Sequence, residues 1–269
     1  MDSSNHTTNS TGAALYIYFP SLLIVPPLGI PANAFVLRLL LGKAGICSTS
    51  EVFVASQAIM DLVFCVSLCC EMAYSFVAGV YERPVCLVFN QFGGPLHLTC
   101  LCLDSFLGVV HPITFMKLKK PLLRLSVCIG NWVFTVFFFA CSVFDASFSA
   151  WQVAIAQLVI DLVTIYFCLI QVMWALKKPG PGSGKAALHP VKKRAFQTVL
   201  GMFVLVNVHY FLPIMNYAAY AANKNSDIKD RSLTVSTISA TVLSLASCVQ
   251  PLCYLVRVKK LPLLSTCRK

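Results

Sequence analysis

TCLCLDSFLGVVHPI, residues 99–113, decides how this chain is read. An apolar helical run carries no charge until Asp104, then turns at His111-Pro112 into a loop holding Lys117, Lys119 and Lys120. A residue before proline is pushed away from helical dihedrals, so the turn belongs at His111. An ionised carboxylate at the edge of a hydrocarbon layer is costly unless it has a partner or a task. The stretch therefore reads as a helix leaving a membrane, with an acid at the boundary.

The rest of the chain agrees. Of 269 residues, 58% are hydrophobic and 12% charged, and the mean hydropathy is +0.77. A soluble domain carries about 25% charged residues. Crossing a ~30 Å hydrocarbon core takes ~20 apolar residues. Seven runs qualify, near 14–41, 51–79, 86–110, 122–144, 150–176, 195–221 and 232–257. The expected fold is an all-α membrane protein, a seven-transmembrane helix bundle. Its division is a tail at 1–13, the bundle at 14–257 and a short tail at 258–269.

Charge placement orients the bundle. With the N-terminus outside, only Arg83, Lys224, Lys229 and Arg231 of the 21 Lys and Arg residues fall on the outer side. Positive residues favour cytoplasmic loops, so the C-terminus is expected in the cytoplasm. The net charge of +11 is then an orientation signal, and nucleic-acid binding is the weaker reading because no soluble basic fold presents it.

The polar stretch 1–13 lacks the basic segment of a cleavable signal peptide. It carries Asn5-His6-Thr7 and Asn9-Ser10-Thr11, so glycosylation is expected at Asn5 and Asn9. Most of the 13 cysteines lie inside apolar runs, where they read as small packing residues. No metal-ligand spacing occurs. The five histidines, His6, His97, His111, His189 and His209, form no HExxH box. Neither an enzyme nor a cofactor is expected. The longest inner loop, KKPGPGSGKAALHPVKKR from Lys177 to Arg194, has a flexible centre and basic ends suited to anionic lipid headgroups.

Short motifs recur along the helices: GIPANAFVL around Asn33, ASQAIMDLVF around Asp61, Asp104 at the end of the third run, Trp132, FVLVNVHYFLP from Phe203, and CVQPLCY from Cys248 to Tyr254. Together they resemble the rhodopsin-like class of G-protein-coupled receptors, in its nucleotide, lipid and peptide-receptor branch. The likeness covers nearly the whole chain. It implies a switch or polar network of Asn33, Asp61, Asn207, His209, Gln250, Pro251 and Tyr254. It also implies a G-protein-facing surface of Asp104, Ser105, Phe106, Lys117, Lys192, Lys193 and Arg194.

Each has a physical reading beside the family one. Asp61 in mid-membrane needs polar partners or a proton, and Asn33 and Gln250 are the expected partners. Gly94 stands where the family's sodium-site Ser usually sits, which argues against sodium there. Pro251 removes a backbone hydrogen bond and permits a kink. Tyr254 reads as a moving switch or as an interfacial anchor, and His209 as a sensor or as an interior histidine.

The departures from the family are sharp. Its Asp-Arg-Tyr is Asp104-Ser105-Phe106. Serine cannot make the charge-assisted fork of a guanidinium, and Asp104 loses its adjacent cation. Asn207 and His209 replace the sixth-helix Trp and Pro. Cys86 lies about six residues too close to Asp104, roughly 9 Å of helix. The outer loop that would carry its disulfide partner is missing, so Cys86 has no evident mate. Leu158 falls near the usual fifth-helix Pro, and Asp161 is an unusual interior acid.

Ligand classes are narrowed by what is absent. Leu87 stands where amine receptors carry Asp. The positions matching nucleotide-binding cations are Phe211, Ile214 and Ala240, and Ser232 to Val256 contains no Lys for retinal. Glu71, Tyr210, Met215 and Tyr217 are the candidate pocket residues, each with simple bundle packing as its alternative. The expected function is an atypical receptor for an extracellular ligand, neither amine nor nucleotide, signalling across the plasma membrane with weak coupling. Its partners would be that ligand, a heterotrimeric G protein or an arrestin, and membrane lipids. The alternatives are a non-signalling shortened receptor and a transporter, the latter supported by Asp61 and Asp161.

Overall fold

Backbone polar groups inside a bilayer must be satisfied within the chain, which leaves helices as the solution for single apolar runs. The computed structural model describes residues 23–42, 51–78, 85–118, 120–144, 150–177, 190–222 and 228–257. They form α1 (Leu23–Leu41), α2 (Glu51–Ala78), a π-helical turn (Phe89–Gly93), α3 (Gly94–Val110), a short α4 (Pro112–Leu118), α5 (Pro121–Phe144), α6 (Ala150–Lys177), α7 (Pro190–Ala222) and α8 (Ile228–Arg257). The two tails at 1–13 and 258–269, with Asn5 and Asn9, lie outside the described residues.

Among the described residues six helices are long and apolar enough to cross a membrane, and α7 contributes the shorter apolar segment Val199–Val208. The fold is thus an all-helical membrane bundle. Two boundaries differ by several residues from the sequence reading: α7 begins at Pro190, inside the stretch expected as loop, and α8 begins at Ile228 instead of near 232. Proline suits the first helical turn, where its missing N–H goes unused and its φ is already helical.

The arrangement is a ring around α3. Helix α3 touches α2, α5, α6 and α7, and the ring continues α5–α6, α6–α7, α7–α8 and α8–α2. Helix α1 fits against α2 and α8. A Cβ added at Gly29 would lie 2.7 Å from Cys65 Sγ and 3.5 Å from Cys248 Sγ, so glycine is what lets α1 come this close. The main core gathers Phe64, Leu68, Leu87, Phe89, Leu98, Cys102, Ile165, Val199, Val206, Tyr210 and Leu243.

Polarity is inverted relative to a soluble fold. Leu28, Phe76, Val77, Phe137, Phe144, Ile160, Val163 and Phe167 are exposed, while Asn33, Asp61, Asn90, His97, Asp104, Arg124, Thr135, Asp161, Ser244 and Ser247 are buried. Lipid solvates the first set as well as a protein core would. Association of the helices then rests on close packing and on interhelical hydrogen bonds.

The π-turn was not anticipated from sequence. Pro95 has no N–H to give to Gln91, so the regular ladder fails there. The chain widens instead, and the Gly94 N–H bonds the Phe89 carbonyl five residues back. The two glycines that follow permit contact with neighbouring helices. A Cβ at Gly93 would meet the Met60 side chain at 2.9 Å, and one at Gly94 would meet the Tyr210 hydroxyl at 2.7 Å.

Candidate functional site

A seam of buried polar groups runs through the middle of the bundle, with the π-turn at its centre. Asn33 Nδ2 donates to the Gly29 carbonyl at 3.0 Å and to the Ser247 carbonyl of α8 at 2.9 Å. The second bond has a specific cause. In a regular helix the Ser247 carbonyl would accept the N–H of residue 251, which is Pro251 and has none. Asn33 fills the vacancy and thereby ties α1 to α8.

From α8 the seam passes to the π-turn. Ser247 Oγ donates to Asn90 Oδ1 at 3.1 Å, and Asn90 Nδ2 donates to the Leu243 carbonyl at 3.2 Å. The Tyr210 hydroxyl of α7 donates to the Asn90 carbonyl at 3.0 Å. Tyr210 is almost wholly buried, so it belongs to the interior of the bundle rather than to an open pocket. Its hydroxyl occupies the space that a side chain at Gly94 would need.

Asp61, 1% exposed, takes a hydrogen bond from Gln57 Nε2 at 3.1 Å on Oδ1, and its Oδ2 has no hydrogen-bond partner. The expected partners Asn33 and Gln250 do not supply that bond. Asn33 is committed to two carbonyls, and Gln250 Oε1 is itself without a partner.

Two further polar links join α3 to its neighbours. The His97 ring is 2.8 Å from the Gly93 carbonyl at Nδ1 and 2.8 Å from Ser56 Oγ at Nε2. A carbonyl only accepts, so Nδ1 donates. Trp132 Nε1 donates to the same Ser56 hydroxyl at 3.1 Å, which leaves the Ser56 hydrogen for Nε2. On the other side, Gln157 Nε2 of α6 donates to the Phe92 carbonyl and to Asp161 Oδ2, each at 3.2 Å.

The α3–α4 end is built differently. Asp104 and Arg124 form an ion pair, both side chains buried. The Arg124 guanidinium also lies over the Phe115 ring of α4, 5.2 Å from its centroid, within cation–π range. The acid therefore has a cation after all, taken from the start of α5 instead of the next position in sequence. Ser105 turns back on its own helix and donates to the Leu101 carbonyl at 2.9 Å. Phe106 packs edge-on against His111 and Phe167, and Lys117 is exposed.

The remaining expected residues are scattered. Asn207 donates to the Phe203 carbonyl at 2.8 Å and accepts from the Tyr166 hydroxyl at 3.1 Å, on an exposed part of the α6–α7 contact. Tyr254 is half-buried beside Val36, Leu40 and Leu255. Met215 is half exposed. Lys192, Lys193, Arg194, His209 and Tyr217 lie in α7, with side chains outside the described residues. Glu71 Oε1 accepts the Cys86 backbone N–H at 2.9 Å. Cys86 is a free, buried thiol. Among the described residues no three His, Cys, Asp or Glu side chains cluster as a metal site.

Arg124, Asn90, Gln57 and Ser247 were missed by sequence reading. Arg124 had one signal, a lone cation just inside an apolar run. Gln57 had one too, its spacing of four residues from Asp61 on the same helix; Asn90 and Ser247 carry none, because their partners come from distant helices.

No family model matches the chain. Similarity to individual proteins is clear. Human proteinase-activated receptor 3 is 36% identical over 126 residues, covering 44% of this chain and 33% of that receptor. Rabbit (Oryctolagus cuniculus) C-X-C chemokine receptor type 2 is 26% identical over 138 residues, covering 49% and 38%. Zebrafish (Danio rerio) G-protein coupled receptor 183-B is 27% identical over 118 residues, covering 41% and 32%. The chain thus spans about a third of the length of the curated relatives it matches. These relatives are named as receptors, none as an enzyme. With six membrane-length apolar helices, the similarity makes this a multi-pass protein of the plasma membrane.

Proposed function

We propose, for a chain that is a relative of the rhodopsin-like G-protein-coupled receptors, that it is an atypical receptor whose resting state is held by the Asp104–Arg124 pair. The N-terminus lies outside and the C-terminus in the cytoplasm, as the distribution of Lys and Arg supports. The single observation that carries the reading is at the α3–α4 end. Asp104 is kept and paired, but the adjacent position offers only Ser105, bonded back to Leu101. A cation carried on α5 and committed to Asp104 of α3 and Phe115 of α4 is not free to meet a G protein at the position the family uses, so coupling is weak or is replaced by arrestin-like partners. The ligand is peptide-like or apolar. Two relatives are named for a proteinase and for chemokines, and the amine, nucleotide and retinal positions are occupied by Leu87, Phe211, Ile214 and Ala240 or lack Lys.

Ser105→Arg tests this. The variant should raise agonist-independent G-protein activation in cells at equal surface level. Unchanged activation would remove the weak-coupling reading.

A second reading, a shortened receptor that does not signal, is favoured by two observations. Cys86 is a free buried thiol, and only residues 145–149 join α5 to α6. Extra coding sequence in the gene, filling the α5–α6 connection and the stretch around Cys86, would establish that reading. An uninterrupted gene would dismiss it.

A further inference from the structure

We propose that Cys102 of α3 and Cys168 of α6 are a thiol pair that lipid hydroperoxides oxidise to an interhelical disulfide. The two thiols hydrogen-bond to each other across the α3–α6 contact, and both residues are buried in the main core. A disulfide needs its two sulfurs brought together, and here they already meet. The neighbouring buried thiols face other groups. Cys248 Sγ donates to the Val25 carbonyl at 3.3 Å, and Cys100 Sγ accepts from Asn131 at 3.6 Å. Packing asks for a small apolar side chain at each position; it does not ask for two sulfurs facing one another.

The route to the pair is from the bilayer. Phe167 and Ile170, on either side of Cys168 in sequence, are 51% and 44% exposed. The Phe167 ring rests against Phe106, one turn after Cys102, with centroids 5.7 Å apart; movement of that ring is the entry step. A charged reductant such as a thiol peptide stays out of an apolar interior, whereas a lipid hydroperoxide enters with its acyl chain. One thiol sulfur attacks the terminal peroxide oxygen. The O–O bond breaks, the thiol becomes a sulfenic acid, and its proton goes to the departing alkoxide, which leaves as the lipid alcohol. The second sulfur then attacks the first. The S–S bond forms, the S–O bond breaks, and the hydroxide leaves as water with the second thiol's proton. Two thiols and one hydroperoxide give one disulfide, one alcohol and one water; the sulfurs lose two electrons and the peroxide gains them. The resolving thiol is already in contact, so condensation precedes any second oxidation to sulfinic acid. The new bond ties α3 to α6 two residues before Asp104.

The test needs neither ligand nor G protein, so its failure is separate from failure of the receptor reading. The full chain is reconstituted in phosphatidylcholine vesicles, with or without a phosphatidylcholine hydroperoxide, and digested without reductant. Mass spectrometry should find the Cys102 peptide joined to the Cys168 peptide, two hydrogens lighter than their sum. A phosphine reductant added in detergent should separate them. Phe167→Ala should speed formation of the link. Cys168→Ser should abolish it and leave Cys102 as a sulfenic acid that a cyclic dione captures. If these variants fail to fold, the wild-type peptide map decides, because the exposed Cys70 and Cys253 report how much oxidant was delivered. Oxidation of Cys70 and Cys253 with Cys102 and Cys168 still reduced would overturn the proposal. So would a link that forms equally fast without the hydroperoxide, or one that joins Cys102 or Cys168 chiefly to other cysteines.

Discussion

The middle of the bundle and its α3–α4 end solve the same problem by opposite means. In the middle, Asn33, Asn90, Ser247 and Tyr210 spread a chain of neutral hydrogen bonds over α1, α7, α8 and the π-turn. At the α3–α4 end one charged pair, Asp104 with Arg124, carries the load, helped by the Phe115 ring. A distributed neutral network loses little when one bond goes. A buried ion pair is all or nothing, because either partner left alone is an uncompensated charge. The middle is thus suited to hold a shape and the end to switch.

The sharpest way to break that comparison is Arg124→Leu. It strands Asp104 and should cost about 3–5 kcal/mol, seen as a large drop in melting temperature and in surface level. The double variant Asp104→Asn with Arg124→Leu removes both charges and should recover most of the loss. Equal, additive losses in the two single variants, with no recovery in the double, would show that the pair is not what holds this end.

Gly94→Ala attacks the middle. The new Cβ would sit 2.7 Å from the Tyr210 hydroxyl, so α3 and α7 must part or Tyr210 must leave Asn90. Overpacking of this kind costs about 1–3 kcal/mol. Adding Tyr210→Phe removes the colliding oxygen and should return part of the stability, as read by a double-mutant cycle. No coupling between the two positions would mean that glycine is not there to admit the tyrosine.

These two sites also mark where sequence reading reached its limit. The helical runs were legible, because a hydrocarbon layer demands long apolar segments and leaves little room for alternatives. Asp61, Asp104 and Asp161 were legible as costly, because any acid in such a run is. Their partners were not. Asp61 is served by Gln57, while Asn33 goes to two backbone carbonyls, and Arg124 lies twenty residues from Asp104 across a turn and a short helix. The π-turn was hidden for a related reason: Gly93-Gly94-Pro95 announces a broken ladder, but not whether the chain kinks, narrows or widens there. The start of α7 at Pro190 had a signal, since proline opens helices, yet the Pro/Gly stretch before it masked the boundary.

Asn33→Ala compares the network with its own weakest point. It uncovers the Ser247 carbonyl that Pro251 leaves open, and an uncovered buried acceptor costs about 1–3 kcal/mol. Replacing Pro251 by Ala in the same chain restores a backbone donor for that carbonyl. The double variant should therefore be more stable than Asn33→Ala alone. If Pro251→Ala gives no relief, Asn33 acts through its bond to Gly29 or through packing, and not by serving the proline.

The smallest effect should come from Tyr166→Phe. Its hydroxyl bonds Asn207 at 3.1 Å, but Tyr166 is 42% exposed, on the lipid side of the α6–α7 contact. Interhelical hydrogen bonds in membrane proteins average about 0.6 kcal/mol. Here the Phe203 carbonyl keeps the Asn207 amide in place, and the ring keeps its edge-on contact with Phe203. The loss should stay near that average, measured by unfolding in detergent. A loss as large as that of Asn33→Ala would place Asn207 among the residues that hold the bundle, and would extend the polar network outward past Tyr210 to the α6–α7 seam.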